Sequence, residues 1–206
     1  MTRGKFIVLE GGDGTGKSAC KEYLQAKLVD HNVVFTHEPG GTEIGQEIRE
    51  VLLRHRATHF HPLTELLLFA ASRAQHVNEK IQPLLAAGQH VICDRFIPSS
   101  FAYQVRANER ADLEHIFTIL HEHAVGDTHP DLYILLDLDP KLGKERTAGR
   151  GSANRLDVKD LEFHGRVREG MKEYVTAFHH QIIDASQPLA KVKEAVLRAA
   201  LSELTK

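Results

Sequence analysis

Short runs of Val, Ile and Leu alternate along this chain with longer stretches in which apolar residues recur every three or four positions. The runs Phe6–Leu9, Val33–Thr36, His90–Cys93, Leu132–Leu136 and Gln181–Ile183 have the length and near-continuous apolar character of strands buried on both faces. Between Leu63 and Leu85, the residues Leu66, Phe69, Ala70, Arg73, Val77 and Ile81 mark one face of a long helix. Val196, Leu197, Ala200, Leu201 and Leu204 mark a second, packing helix over Lys193–Leu204. Strand and helix in alternation predict an α/β fold, a five-stranded parallel sheet flanked by helices, with its ligands at the carboxyl ends of the strands. The 206 residues fit one such domain, and no repeat, low-complexity tract or linker divides them.

The strand ends carry the chemistry. After the first run comes Gly11-Gly12-Asp13-Gly14-Thr15-Gly16-Lys17-Ser18, which satisfies the phosphate-loop pattern G-x-x-x-x-G-K-[ST] in its proper place between strand and helix. Its glycines let backbone N–H groups turn toward a polyphosphate, Lys17 brings a point charge, and the Ser18 hydroxyl suits one Mg²⁺ ligand. The helix beginning near Lys17 aims its N-terminal donors at the same anion. At the end of the third run, Asp94 and Arg95 offer a carboxylate for Mg²⁺ through water and a bidentate grip on a phosphoryl group, or else a structural ion pair. Ser99, Ser100, Tyr103 and Gln104 suit the reading of a base edge and equally the capping of a helix starting near Ser100. Phe69 and Arg73 lie side by side on the long helix, as a core Phe with a snorkelling Arg or as the edge of a ligand site. After the fourth run, Arg146, Arg150 and Arg155 are punctuated by Gly143, Gly149 and Gly151, the composition of a mobile basic lid and also of a solvated surface loop.

Composition narrows the partners. Lys and Arg number 26 against 28 Asp and Glu, so no global basic field attracts nucleic acid. The only cysteines, Cys20 and Cys93, fall in a helix and an apolar strand, as reduced core thiols do in a cytosolic protein. No apolar run is long enough to span a bilayer and none reads as a leader, so a cytoplasmic protein is expected, with no membrane partner. His55, His59 and His61 stand close together among the 14 histidines, but Pro62 follows and no further ligand completes a metal set. They read as surface histidines.

Taken together, these segments resemble the thymidylate kinase family. The motifs agree in order and spacing from Phe6 to about Tyr174: the phosphate loop, Glu38-Pro-Gly-Gly-Thr42, Leu66-Leu-Leu-Phe-Ala-Ala-Ser-Arg73, Asp94-Arg-Phe96 and Ala102-Tyr-Gln104. The resemblance implies a three-layer P-loop nucleoside monophosphate kinase fold, with a lid about residues 142–157, that transfers the γ-phosphoryl group of ATP to dTMP with Mg²⁺, and a homodimer. It implies that the loop residues Gly11 to Ser18 bind ATP and that Ser18 and Asp94 serve the metal. Phe69 would stack on thymine, Arg73 would bond its exocyclic oxygen, and Gln104 with Ser99 and Ser100 would complete the base pocket. Arg49 and Arg95 would hold the acceptor phosphate, with Glu38 in the same site. Asp13 would reach the sugar 3′-hydroxyl, and Tyr103 would stand where a ribose 2′-hydroxyl would lie.

With Gly14 and Thr15 in the loop and no arginine there, the chain resembles the bacterial arrangement in which the lid supplies that charge. Arg146 is then expected on the ATP side, and Arg150 and Arg155 at the transferred phosphate. His37 replaces an arginine common before the Glu-Pro pair, Val105 a glycine after Tyr103-Gln104, Ala19 a threonine, and Asn154-Arg155-Leu156-Asp157 a usual Asp-Arg-x-Glu. Three other readings stand beside this one: a related kinase acting on dUMP or a modified pyrimidine deoxynucleotide, a P-loop switch, and a catalytically silent binding protein, which the presence of Lys17, Ser18, Asp94 and Arg95 disfavours. The switch is disfavoured because no [NT]-K-x-D guanine motif is present and a switch needs no second pocket.

Overall fold

The computed structural model describes residues 2–149 and 154–206. Five strands, β1 (Phe6–Gly11), β2 (Val33–His37), β3 (His90–Asp94), β4 (Leu132–Asp137) and β5 (His180–Asp184), form one all-parallel sheet in the order β2-β3-β1-β4-β5. Each strand begins within a residue of its predicted run. Several continue beyond it through Glu10, His37, Asp94 or Asp137, because the backbone ladder runs on past the first polar side chain.

The period of two along the strands divides the core into two layers. Phe6, Val8, Val91, Cys93, Tyr133 and Leu135 face α3 (Pro62–His76), α6 (Glu114–Val125) and α8 (Leu161–Val175). Ile7, Leu9, Ile92, Leu132, Ile134 and Leu136 face α1 (Lys17–Lys27) and α9 (Leu189–Leu204). The result is the predicted three-layer α/β architecture. Cys20 and Cys93 are free thiols buried in opposite layers.

The remaining helices border the strand ends: α2 (Glu43–Leu53), α5 (Ile97–Ser100) and α7 (Pro140–Thr147). The predicted helix over Leu63–Leu85 is present with one irregularity. A π-turn at Val77–Ile81, where the Gln82 N–H bonds the Val77 carbonyl, joins α3 to α4 (Gln82–Ala86) just before Pro83, which has no N–H to give. A second π-turn, Phe101–Arg106, continues α5. No described helix is long and apolar enough to cross a membrane.

Candidate active site

The loop between β1 and α1 is held open by its own side chains. Lys17 Nζ folds back on the carbonyls of Gly11 (2.6 Å) and Gly12 (3.1 Å), and Thr15 Oγ1 bonds Gly12 O at 2.8 Å. Lys17 is buried, and that desolvation, aided by the nearby Arg95 charge, brings its pKa down to about 8 against the pull of Asp94, Asp13 and Glu10. Gly14, at φ 73°, and Gly143 of α7 meet backbone to backbone. A Cβ on Gly14 would stand 2.4 Å from Gly143 O, and one on Gly143 would stand 2.4 Å from Asp13 O. The glycine that reads as lid punctuation in the sequence is thus a contact point between α7 and the phosphate loop.

Two cavities open at this edge of the sheet. The larger, about 750 Å³, lies over the loop and is walled by Leu136, Asp137, Lys144, Thr147, His164 and Arg168. The smaller, about 350 Å³, is lined by His37, Glu38, Arg49, Phe69, Arg73, Asp94, Arg95, Ser99, Ser100, Tyr103 and Gln104. Asp13, Lys17, Ser18 and Asp157 border both. Every acceptor-side residue expected from the sequence therefore lines one cavity, and the loop residues Gly12 to Ser18 line the other. Gly11 lies beneath the loop, where a Cβ would meet Leu136 O at 2.8 Å.

The charged residues of the smaller cavity are braced from behind. Arg73 is almost fully buried; its Nε bonds Glu38 at 2.8 Å, Nη2 bonds Ser100 Oγ at 3.0 Å, and Nη1 meets His121 Nδ1 at 2.7 Å. His121 is held well below the ordinary imidazole pKa by burial and by Arg73, which leaves it neutral and able to accept that bond. Glu38 also meets His76 at 3.0 Å, and His76 meets Thr36 at 2.7 Å. Arg95, in the left-handed region at φ 70°, bonds Ser99 Oγ at 3.0 Å and approaches Asp13 at 3.5 Å. Fully buried Glu10 accepts from Ser99 Oγ (2.7 Å) and from the N–H groups of Phe96 (2.8 Å) and Ser99 (3.2 Å). Burial raises its pKa even so, with Arg95 the largest opposing influence. Ser99 and Ser100 thus cap no helix: they lie within α5, and their hydroxyls hold Glu10, Arg95 and Arg73.

Asp94 Oδ1 is buried without a partner, in the cavity that Ser18 also borders. An acceptor left unsatisfied in this way suits a cation or its water. Among the described residues no three His, Cys, Asp or Glu side chains gather as a cage. His37, half-buried, has its pKa lowered by burial and then by Arg49 and Lys21, so it enters the cavity as a neutral ring at pH 7. Asp157 is raised by burial and further by Asp13 opposite, despite its bond from the Asn154 N–H.

The expected lid arginines diverge. Arg146 bonds the carbonyls of Ala185 (2.7 Å) and Ser186 (3.3 Å) beyond β5, with a longer contact to Gly14 O. Arg155 turns to Glu65 at 2.7 Å. Neither lines a cavity, and Arg150 lies outside the described residues. Glu10, Glu65, His76, His121 and Arg168 went unread in the sequence. Arg168 pairs with Asp137 at the mouth of the larger cavity (2.8 Å). Only Phe117, His121 and Val125, spaced four apart on one helical face, gave any sign of a buried histidine.

The thymidylate kinase family matches residues 9–196. Thymidylate kinase of Marinomonas sp. is 43% identical over 94% of this chain and 92% of its own. That of Deinococcus radiodurans is 44% identical over 98% of each. The crystal structure of thymidylate kinase from Ehrlichia chaffeensis superposes with a TM-score of 0.74 at 30% identity, covering 97% of this chain and 99% of that one. With a phosphate loop, a second cavity lined by Arg49, Arg73 and Arg95, and this likeness over nearly its whole length, the chain belongs to the thymidylate kinase family and is a nucleoside monophosphate kinase.

Proposed function

We propose that the larger cavity takes ATP and the smaller takes dTMP, and that their shared wall is where the γ-phosphoryl group passes to give dTDP and ADP. The observation that carries this reading is the pair of adjoining cavities bordered in common by Asp13, Lys17, Ser18 and Asp157. The attacking atom is a phosphate oxygen already ionised near neutral pH. Catalysis then consists of bringing two anions together and spreading the charge, with no general base. Lys17 and the loop N–H groups hold the donor phosphates, and Arg49 and Arg95 hold the acceptor phosphate. Phe69 and Arg73 take the thymine ring and its exocyclic oxygen, Asp13 the sugar 3′-hydroxyl, and Tyr103 the edge where a 2′-hydroxyl would clash. Ser18 and Asp94 would hold Mg²⁺, which when bound neutralises charge between the donor phosphates. Of the lid arginines, Arg150 is the candidate for the transferred phosphate. We further propose a cytoplasmic homodimer that meets through α2, α3 and α6, where Ile44, Val51, Leu67 and Ile119 are exposed.

A coupled ADP-release assay with ATP and a panel of dTMP, dUMP, dCMP and TMP tests the reading. Turnover is expected to be fastest with dTMP, and Lys17→Ala should remove nearly all of it while remaining folded. Equal rates across the panel, or an active Lys17→Ala protein, would contradict it.

A further inference from the structure

Arg155 makes contacts that phosphate transfer does not explain. Its Nη1 bonds buried Glu65 at 2.7 Å, its Nε donates to the Leu52 carbonyl at the end of α2, and the guanidinium lies 5.0 Å above the Phe60 ring. The other oxygen of Glu65 accepts the Gln104 amide N–H at 2.9 Å. A carboxylate only accepts, so it dictates which way round the Gln104 amide sits: NH₂ toward Glu65, Oε1 away from it. That Oε1 is buried without a partner, and Gln104 lines the smaller cavity. Asn154, Leu156 and Asp157, which flank Arg155, line the same cavity.

We propose that Arg155 is a positioning residue of the acceptor site. It holds the Glu65 carboxylate in place and tethers residues 154–157 to α2 and α3, so that Gln104 presents a carbonyl oxygen to the base. This inference rests on reading the smaller cavity as the dTMP site. An acceptor there selects a pyrimidine with an N3–H, as thymine and uracil have, over cytosine, whose N3 is itself an acceptor. Without Arg155, Glu65 loses the partner that fixes its second oxygen, and the carboxylate can turn away from Gln104. The Gln104 amide then has no acceptor to fix its orientation, it turns over, and the cavity is offered NH₂ in place of C=O. Loss of Arg155 thus acts on the choice of acceptor rather than on ATP.

Steady-state kinetics of the unmodified protein, Arg155→Ala, Glu65→Gln and Arg155→Lys test this, with dTMP and dCMP as acceptors and ATP varied separately. The preference in kcat/KM for dTMP over dCMP should fall by about tenfold or more in Arg155→Ala and Glu65→Gln, because a buried polar mismatch is what sets such ratios. The change should lie mainly in KM for dTMP, with KM for ATP within about twofold. Arg155→Lys, which returns a cation to Glu65, should recover most of the preference. If Arg155→Ala instead loses kcat and raises KM for ATP with the preference intact, Arg155 serves the transferred phosphate and the inference is overturned. A preference unchanged in both Arg155→Ala and Glu65→Gln overturns it as well. Failure of the unmodified protein to turn over dTMP would be a different result, removing the acceptor-site reading and this inference with it.

Discussion

Lys17 is the residue whose chemistry depends most on where the fold puts it. In water its ammonium holds its proton to beyond pH 10; buried in the loop its pKa falls to about 8. Below pH 8 folded and unfolded chains both carry this proton, and the folded state bears the cost of burying the charge. Between about 8 and 10.5 the folded state releases it first, so the contribution of this group to stability improves as pH rises through that window. Polyphosphate binding has the opposite dependence, because the anion needs the ammonium. Titration calorimetry with ATP should show an affinity that weakens toward roughly tenfold per pH unit above 8, with proton uptake on binding. Lys17→Ala should bind weakly with no such slope from this group; an undiminished slope would assign the titration elsewhere. The identity of Lys17 was legible in the sequence because the loop pattern ties each residue type to a backbone task. Glu10 and Glu65 were not legible. Their partners lie at residues 96–99, 104 and 155, and a glutamate destined for such burial looks, in sequence, like one facing solvent.

At the scale of elements, apolar periodicity located every strand of the sheet but undercounted at the carboxyl ends, where Glu10, Asp94 and Asp137 are polar side chains on a continuing ladder. Those ends are where the site lies. The lid was legible as composition, Arg and Gly after the fourth strand, but not as orientation. Arg146 and Arg155 differ in what they reach because Ala185 and Glu65 come from distant parts of the chain. Nor did the sequence reveal that α7 rests directly on the phosphate loop. Gly143 makes that approach possible, and an added methyl there would meet the Asp13 carbonyl, a backbone atom that has no rotamer by which to yield. Gly143→Ala is expected to cost about 1–3 kcal/mol in urea unfolding and to raise KM for ATP more than KM for dTMP. Gly165, within α8 and with open space where its Cβ would project, provides the contrast. Gly165→Ala should gain about 0.5–1 kcal/mol from the lower entropy of the unfolded chain. Equal effects at the two positions would show that close approach to the loop is not what Gly143 provides.

At the scale of the whole molecule, the row of helices α2, α3 and α6 carries exposed apolar side chains. α2 packs on α3 and α3 on α6, and this row of helices exposes Ile44 and Val51, seven residues apart on one face of α2, Leu67 on α3 and Ile119 on α6. The inner face of α3 carries Arg73 and Phe69, so the same helix presents the acceptor site on one side and this surface on the other. A second copy of the chain meeting here would bury the apolar residues and hold α3 from behind, limiting the drift of a buried Arg73 network whose bonds are useful only at fixed geometry. Sedimentation equilibrium should therefore give twice the 23.1 kDa chain mass at micromolar concentration. Leu67→Glu, which puts a charge on α3, the middle helix of this row, without touching either cavity, should sediment as a monomer. If bracing of α3 matters to the site, that monomer should bind ATP as before and bind dTMP several-fold more weakly, roughly 1 kcal/mol. A Leu67→Glu protein that remains dimeric would move the interface to another face. A monomer with unaltered dTMP affinity would leave the dimer with no part in holding the acceptor site.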